Sequence, residues 1–400
     1  MPLSVVVVLQ GFDEAGAVAS CCRNQMLALA GRHQVSLITD RSRSPQRDAD
    51  LAPRVGIERL AVPSLSWMHR FAHVPRQILF ILLAGRALRR RLRRQPVDLV
   101  LFHSHPPTAL LAPLLRRHGC RTAMVMHGDI FDRPAGTYDR RITWWYRVTT
   151  QRAYRSCDGV LALSPYMAAF AERGGARAQR IHLVPNGVDA EEIGLADGSH
   201  VDPPSPASLL FVGRIEFNKG VDLLIDAFCS LLERWPSLQL TCIGSPERDY
   251  LNSLLTWLKR AGVSVSTPGA DAENAQVRFL PPQPRQQLGA HYLRAAVVVV
   301  PSRSETQSTV LMEAMAAGRA VVASDTGGNP MLVDDGRSGR LFACGEAGSL
   351  SRALAELLAD PERIQAMGRS ARERHRQHYS RSRSAAALLA AVQALTEAQR

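Results

Sequence analysis

Two carboxylates eight positions apart, Glu305 and Glu313, stand in the segment Pro301 to Gly318, PSRSETQSTVLMEAMAAG, directly after the apolar run Ala295 to Val300. The run reads as a buried strand. Glu305 falls in the polar loop behind it, whereas Glu313 lies among the strong helix formers of Thr309 to Ala317, a helix that Gly318 closes as its C-cap. One acid is then near the helix start and the other two turns along. In open α/β sheets ligands gather outside the carboxyl ends of strands, where helix N-termini favour anions. Both acids would therefore face a polyhydroxylated, phosphorylated ligand and could accept hydrogen bonds from its hydroxyls. The plainer alternative is a helix with one capping acid and one solvated Glu, since helix N-termini favour acids anyway.

The elements that would position these acids follow from the alternation along the chain. Short β-branched runs (Val5 to Leu9, Val35 to Thr39, Leu99 to Phe102, Ala123 to Met126, Gly159 to Leu163) alternate with helical patterns such as Val18 to Ala30. That pattern argues for βαβ units and a parallel sheet. After Asn186 the sequence turns loop-like, and residues 197–208 hold three prolines in a short polar stretch that reads as a linker. A second alternation follows: Leu209 to Val212, Leu238 to Ile243, Val277 to Leu280, Val297 to Val300, Ala320 to Ala323 and Leu341 to Ala343. The expected fold is α/β with two doubly wound domains facing a cleft, residues 1–196 and 209–380.

The segment around the two acids resembles the E-x7-E motif of retaining, GT-B-fold glycosyltransferases of the family 4 type (glycosyl transferases group 1). FVGRIEFNKGVDLLIDAF (Phe211 to Phe228) looks like that family's pyrophosphate-binding segment, LVPNGVD (Leu183 to Asp189) like its interdomain segment, and VVASDTGGNPMLVDDGRSGRLF (Val321 to Phe342) like the stretch after the second acid. In the first half the likeness is thinner, through DLVLFHSH (Asp98 to His105), MVMHGD (Met124 to Asp129) and the opening strand and loop. The resemblance implies a GT-B architecture in which the last helix, within residues 381–400, returns to the first domain.

It also implies roles residue by residue. Arg214 and Lys219 would take the donor's pyrophosphate; two fixed cations near a helix start are what a departing diphosphate needs, typically contributing ~3 kcal/mol each. The alternative for this pair is a strand-end Arg and a surface Lys. Glu313 would accept the ribose hydroxyls, and Glu305 would contact the donor sugar, whose developing positive charge a carboxylate favours. Ser308, Thr309 and Val310 would offer backbone amides, with Gln307 and Ser308 standing where the family usually has an aromatic residue and a glycine. His127, after its strand and before Gly128, would hydrogen-bond the donor without acting as a base; His103 and His105 after the preceding strand could be structural or functional. Gly327, Gly328 and Asn186 would line the cleft, Met331 stands where the family often has an acid, and Ala15 and Gly16 replace a glycine pair in the first domain.

Charge is unevenly placed. Residues 1–200 carry 27 Arg and 16 acids, and residues 201–400 carry 22 basic residues and 20 acids, so the positive field belongs to the first half. Arg86, Arg89, Arg90, Arg93 and Arg94 are expected on one helical face opposite Ile78, Ile81, Leu82, Leu88 and Leu92, either as a solvated face or as a seat for an anionic membrane surface, where each basic residue contributes ~1 kcal/mol. Seven cysteines without a Cys-x-x-Cys read as small core residues of a reducing compartment rather than a zinc site or disulfide frame. Asp48 to Asp50 in an Arg-rich loop reads as solvated, so no metal and no cofactor is expected beyond a UDP- or GDP-sugar as substrate. The opening segment lacks a basic n-region and no apolar stretch approaches ~20 residues, which points to a cytoplasmic protein, peripheral on the membrane if the arginines bind it. The expected function is retaining, metal-independent transfer of a sugar to a lipid-linked or membrane-associated glycan, in polysaccharide or glycolipid synthesis. The rivals are a soluble small-molecule acceptor, a sugar-nucleotide epimerase of the same fold, and a basic nucleic-acid-binding protein, the last opposed by the want of any recognised binding module.

Overall fold

A computed structural model describes residues 2–12, 17–40, 51–62, 73–103, 106–128, 140–196, 207–268 and 275–397. Gly16, His105 and Asp48 to Asp50 lie outside the described residues. The chain forms two compact units, Met1–Asn186 with Ser384–Arg400, and Gly187–Arg383.

In the first unit seven strands, β1 (Ser4–Val8), β2 (Gln34–Asp40), β3 (Val55–Leu60), β4 (Leu99–His103), β5 (Arg121–Met126), β6 (Gly159–Ala162) and β7 (Ile181–Leu183), pair in parallel in the order β3-β2-β1-β4-β5-β6-β7. Successive valines of β1 point to opposite faces, Val6 and Val8 into one apolar layer and Val5 and Val7 into the other, so both faces are covered and the strand reads as an unbroken apolar run. Full burial of such side chains stabilises by about 1.5–3 kcal/mol each. The helix Arg381–Glu397 buries Leu388, Ala391, Val392 and Leu395 in the Val5 layer, which is the expected return to the first domain.

The second unit repeats the plan with β8 (Ser208–Val212), β9 (Gln239–Ile243), β10 (Val265–Ser266), β11 (Val277–Leu280), β12 (Val297–Val300), β13 (Ala320–Ser324) and β14 (Arg340–Phe342), in the order β10-β11-β9-β8-β12-β13-β14. The order reverses between β8 and β12, so the loops leaving those neighbours diverge at a topological switch point, where open sheets bind ligands. β3, β7 and β10 were not expected from sequence; each is an edge or near-edge strand with a weak apolar pattern.

Two expectations need correction. The units divide at Asn186–Gly187 rather than across residues 197–208, because Val188, Ile193 and Leu195 are already packed in the second unit's core. The arginine face also differs: the helix spans His73–Leu92, so Arg93 and Arg94 fall beyond its end. Its buried side is Gln77, Phe80, Ala84, Ala87 and Leu88, while Ile78 (41% exposed) and Leu82 (57%) stand on the open side. The reason is the 3.6-residue period: 78, 82 and 86 are four apart and share a face with the arginines rather than opposing them.

Candidate functional site

Glu305 follows β12 and Lys219 follows β8, on the two loops that diverge at the switch point, and their side chains meet: Lys219 Nζ lies 2.7 Å from Glu305 Oε2. Ser302 Oγ also donates to Glu305 Oε2, at 3.2 Å. Lys219 sits in a short 3-10 turn, Phe217–Lys219, that ends at Gly220 with φ +69°. A side chain at Gly220 would be strained by that φ and would place its Cβ 2.0 Å from the Pro301 carbonyl, so glycine is what lets the two loops approach.

The same loops are braced from behind by residues that sequence reading missed. Arg303 makes a two-pronged ion pair with Asp222 at 2.7 and 2.8 Å, donates to the Phe217 carbonyl, and lies 3.9 Å over the Phe217 ring. Its backbone N–H reaches the Asn218 carbonyl, and the Tyr250 hydroxyl donates to Asp222 Oδ1, the oxygen shared with Arg303 Nη1, at 2.7 Å. Burial alone would raise the Asp222 carboxyl, but the hydrogen bonds from Arg303 and Tyr250 outweigh it and hold it below its ordinary range. Such forked Arg–carboxylate contacts fix orientation as well as charge. A sequence signal was present, an arginine between a strand end and the first acid.

Arg214 is more open, with Nη1 2.6 Å from Glu216 Oε2.

The helix after Glu305 runs Thr309–Ala316, and its N-cap is Ser308, whose Oγ accepts from the Leu311 amide. Ser308 therefore caps with its side chain, and Glu305 is not the capping acid of the plainer alternative. Met312 N–H makes the first bond back to the Ser308 carbonyl, which places the Thr309 and Val310 amides in the helix's opening turn.

Glu313 is not solvated either; it is 5% exposed. Arg285 holds Oε1 with Nε at 2.9 Å and Nη2 at 2.7 Å, and the buried Tyr292 hydroxyl donates to Oε2 at 2.8 Å. Burial pushes the Glu313 carboxyl above its ordinary value, and Arg285 and Tyr292 pull it back part of the way. Arg285 also binds Glu192, which in turn takes Arg381, so one ion network links Glu313 to the segments Gly187 to Glu192 and Arg381. Sequence reading missed Arg285 and Tyr292; the available signal was an arginine in the loop after β11.

Gly327 and Gly328 serve the same loop. Gly327 has φ +56°, and an added Cβ would lie 1.5 Å from the Glu305 carbonyl; one at Gly328 would lie 2.0 Å from the Thr306 carbonyl. The Gly328 N–H donates to Glu305 O. The space these glycines leave is filled by the backbone that carries Glu305.

In the first unit His127 lies just beyond β5 and His103 ends β4. Nδ1 of His103 is 3.0 Å from Nε2 of His127, and the rings stack at 5.1 Å. Burial brings His127 down to about 4 and His103 well below its ordinary value, so both rings are neutral. Asn186 is buried and accepts from the Cys21 thiol at 2.7 Å, which turns its side chain toward the helix Ala17–Ala30.

Two family models match this sequence: Glycosyl transferases group 1 over residues 197–374, and Glycosyltransferase Family 4 over residues 18–192. The chain belongs to the family 4 glycosyltransferases. Among curated relatives of this family, it is 35% identical to D-inositol 3-phosphate glycosyltransferase of Nocardia farcinica over 48% of this chain and 43% of the relative. It is 29% identical to a GDP-mannose-dependent alpha-(1-6)-phosphatidylinositol monomannoside mannosyltransferase of Mycolicibacterium smegmatis over 70% of this chain and 72% of the relative. The chain spans about half the length of the inositol-phosphate relatives it matches. Sucrose-phosphate synthase of Thermosynechococcus elongatus superposes with a TM-score of 0.79 at 19% identity, covering 99% of this chain and all of that one, which shows the family's two-unit GT-B fold.

Proposed function

We propose that this chain transfers a sugar from a nucleotide-sugar donor to an acceptor with retained anomeric configuration and without a metal ion. The observation that carries the reading is the meeting of Lys219 and Glu305 at the switch point of the second sheet. Lys219 and Arg214 would hold the diphosphate, Glu313 the ribose hydroxyls, and the opening amides at Thr309 and Val310 the phosphate oxygens. The bond from the anomeric carbon to the diphosphate oxygen breaks and that to the acceptor oxygen forms on the same face, the acceptor's proton leaving to the diphosphate. Glu305 favours the positive charge that develops on the sugar, and His127 contributes a hydrogen bond. Thermal unfolding against a panel of nucleotide sugars, GDP-mannose and UDP-sugars included, tests this. A donor at 100 times its Kd should stabilise by ~2.7 kcal/mol, and Lys219→Ala should abolish the shift.

For the acceptor, a lipid-linked or membrane-associated glycan is favoured by the basic first half, by the exposed Ile78, Leu82 and Trp144, and by the phosphatidylinositol mannoside in the name of the Mycolicibacterium relative. The chain would then work on the cytoplasmic side as a peripheral protein, Arg86, Arg89 and Arg90 meeting anionic headgroups; among the described residues no helix is long and apolar enough to cross a membrane. A soluble inositol phosphate is the second reading, supported by the names of the relatives at 35% identity.

A further inference from the structure

The loop that carries Glu305 is tied to the strand beyond it: the buried Ser324 hydroxyl donates to the Ser302 carbonyl at 2.6 Å, and the Gly328 N–H donates to the Glu305 carbonyl. The turn that carries Lys219 takes its place from this loop through Arg303. The Arg303 N–H donates to the Asn218 carbonyl at 2.8 Å and its Nη1 to the Phe217 carbonyl at 2.7 Å, so both carbonyls ahead of Lys219 are held from the side of Glu305. The same guanidinium lies 3.9 Å over the Phe217 ring and forks Asp222, in the first turn of the helix Val221–Leu231 that follows Lys219. Lys219 is thereby clamped from before and from behind.

Arg214, Lys219 and Arg303 are three cations on these two loops, and their partners sort them. Both terminal nitrogens of Arg303 are committed to Asp222 and the Phe217 carbonyl, and its side chain is 20% exposed against 58% for Arg214. A guanidinium forked on a carboxylate in this way fixes geometry. Lys219 carries its charge on a flexible four-carbon stem, so its ammonium is placed only as well as the turn beneath it. Misplacing a functional group by about 1 Å can cost roughly 10²-fold.

We propose that Arg303 is a positioning residue that, by forking Asp222 and holding the Phe217 and Asn218 carbonyls, sets the Lys219 ammonium against Glu305 without itself touching the donor. The inference rests on the reading that Lys219 meets the diphosphate.

The first measurement needs no ligand. Lys219 and Lys259 are the two lysines of the sequence, so protein labelled with 13C,15N-lysine gives two side-chain signals, that of Lys219 being the one missing from Lys219→Ala. In wild type the two ε-protons of Lys219 should be inequivalent, as in a held side chain, while those of the exposed Lys259 average. Arg303→Met should average those of Lys219 as well. Averaged Lys219 protons in wild type, or inequivalent ones in Arg303→Met, overturn the proposal. If Arg303→Met does not fold, Asp222→Asn, which removes half of the fork, decides it by the same spectrum. The second measurement is release of nucleoside diphosphate from the nucleotide sugar that thermal unfolding selects, with water as the acceptor. Arg303→Lys keeps the charge and loses the fork; it should slow release about tenfold in the wild-type background and less than about twofold in Lys219→Ala, since its effect passes through Lys219. Release near the wild-type rate in Arg303→Lys, or additive losses in the double variant, overturns the proposal. Wild-type release in Lys219→Ala alongside the expected spectra would instead remove Lys219 from the diphosphate and leave its positioning by Arg303 standing.

Discussion

Lys219 Nζ and Glu305 Oε2 are 2.7 Å apart, although 86 residues separate them in sequence. The cation assigned to the diphosphate is thus already matched by the acid assigned to the sugar, and a bound diphosphate must compete with Glu305 for it. Glu305→Gln should therefore bind the nucleoside diphosphate more tightly, by up to about fivefold, while turning over more slowly, because a partly exposed ion pair is worth at most ~1 kcal/mol. Calorimetry with the free diphosphate checks this; weaker binding in Glu305→Gln would mean that the carboxylate helps to hold the product.

Lys219→Ala and Arg214→Ala should each lower turnover by roughly 10², since each removes one fixed cation from the leaving group. Steady-state rates on variants whose circular dichroism matches wild type decide it. Near-normal turnover in both would remove the diphosphate from this loop.

Arg285→Met should destabilise the protein by roughly 3 kcal/mol, because it leaves the Glu313 carboxylate buried without its guanidinium. The double variant Arg285→Met/Glu313→Gln should regain part of that loss by removing the stranded charge. Urea unfolding measures both, and additive losses would show that the two side chains do not act as a pair.

Gly327→Ala should cost about 1–2 kcal/mol for its left-handed backbone alone, and more as the Cβ pushes on the Glu305 carbonyl. Because that carbonyl belongs to the acid-bearing loop, donor affinity should fall together with stability. A variant that loses stability but binds donor normally would separate the glycine from the site.

Stability should fall as the solution is acidified through the histidine range. An unfolded imidazole titrates near 6.5, whereas His127 in the folded chain titrates at about 4 and His103 also lies below its ordinary value. Above pH 6.5 the two states bind equal numbers of protons and the contribution is complete. Between 6.5 and 4 the unfolded chain takes up protons that the folded chain refuses, removing up to about 1.4 kcal/mol per pH unit for each ring. Urea midpoints from pH 7 to 5 should drop less steeply in the double variant His103→Phe/His127→Phe.

The alternating runs, the strand before Glu305, the helix after it and its closure at Gly318 were all legible in the sequence. Each depends on propensities and periods that act within a few residues, and β12, the helix Thr309–Ala316 and the left-handed Gly318 follow them. The motifs named the family for the same reason, as the chemistry of a phosphate loop is written in consecutive residues. What only the tertiary structure decided is who meets whom. Strand order brings β8 beside β12 and so Lys219 to Glu305, seats Arg285 on Glu313, and sets His103 against His127. It also decided that Gly327 makes room for the Glu305 backbone, and that Ile78 and Leu82 stay open beside the arginines while Phe80 and Leu88 are buried. These pairings depend on crossover connections and on which helix face finds a sheet, and such contacts between distant parts of the chain leave no local period to read.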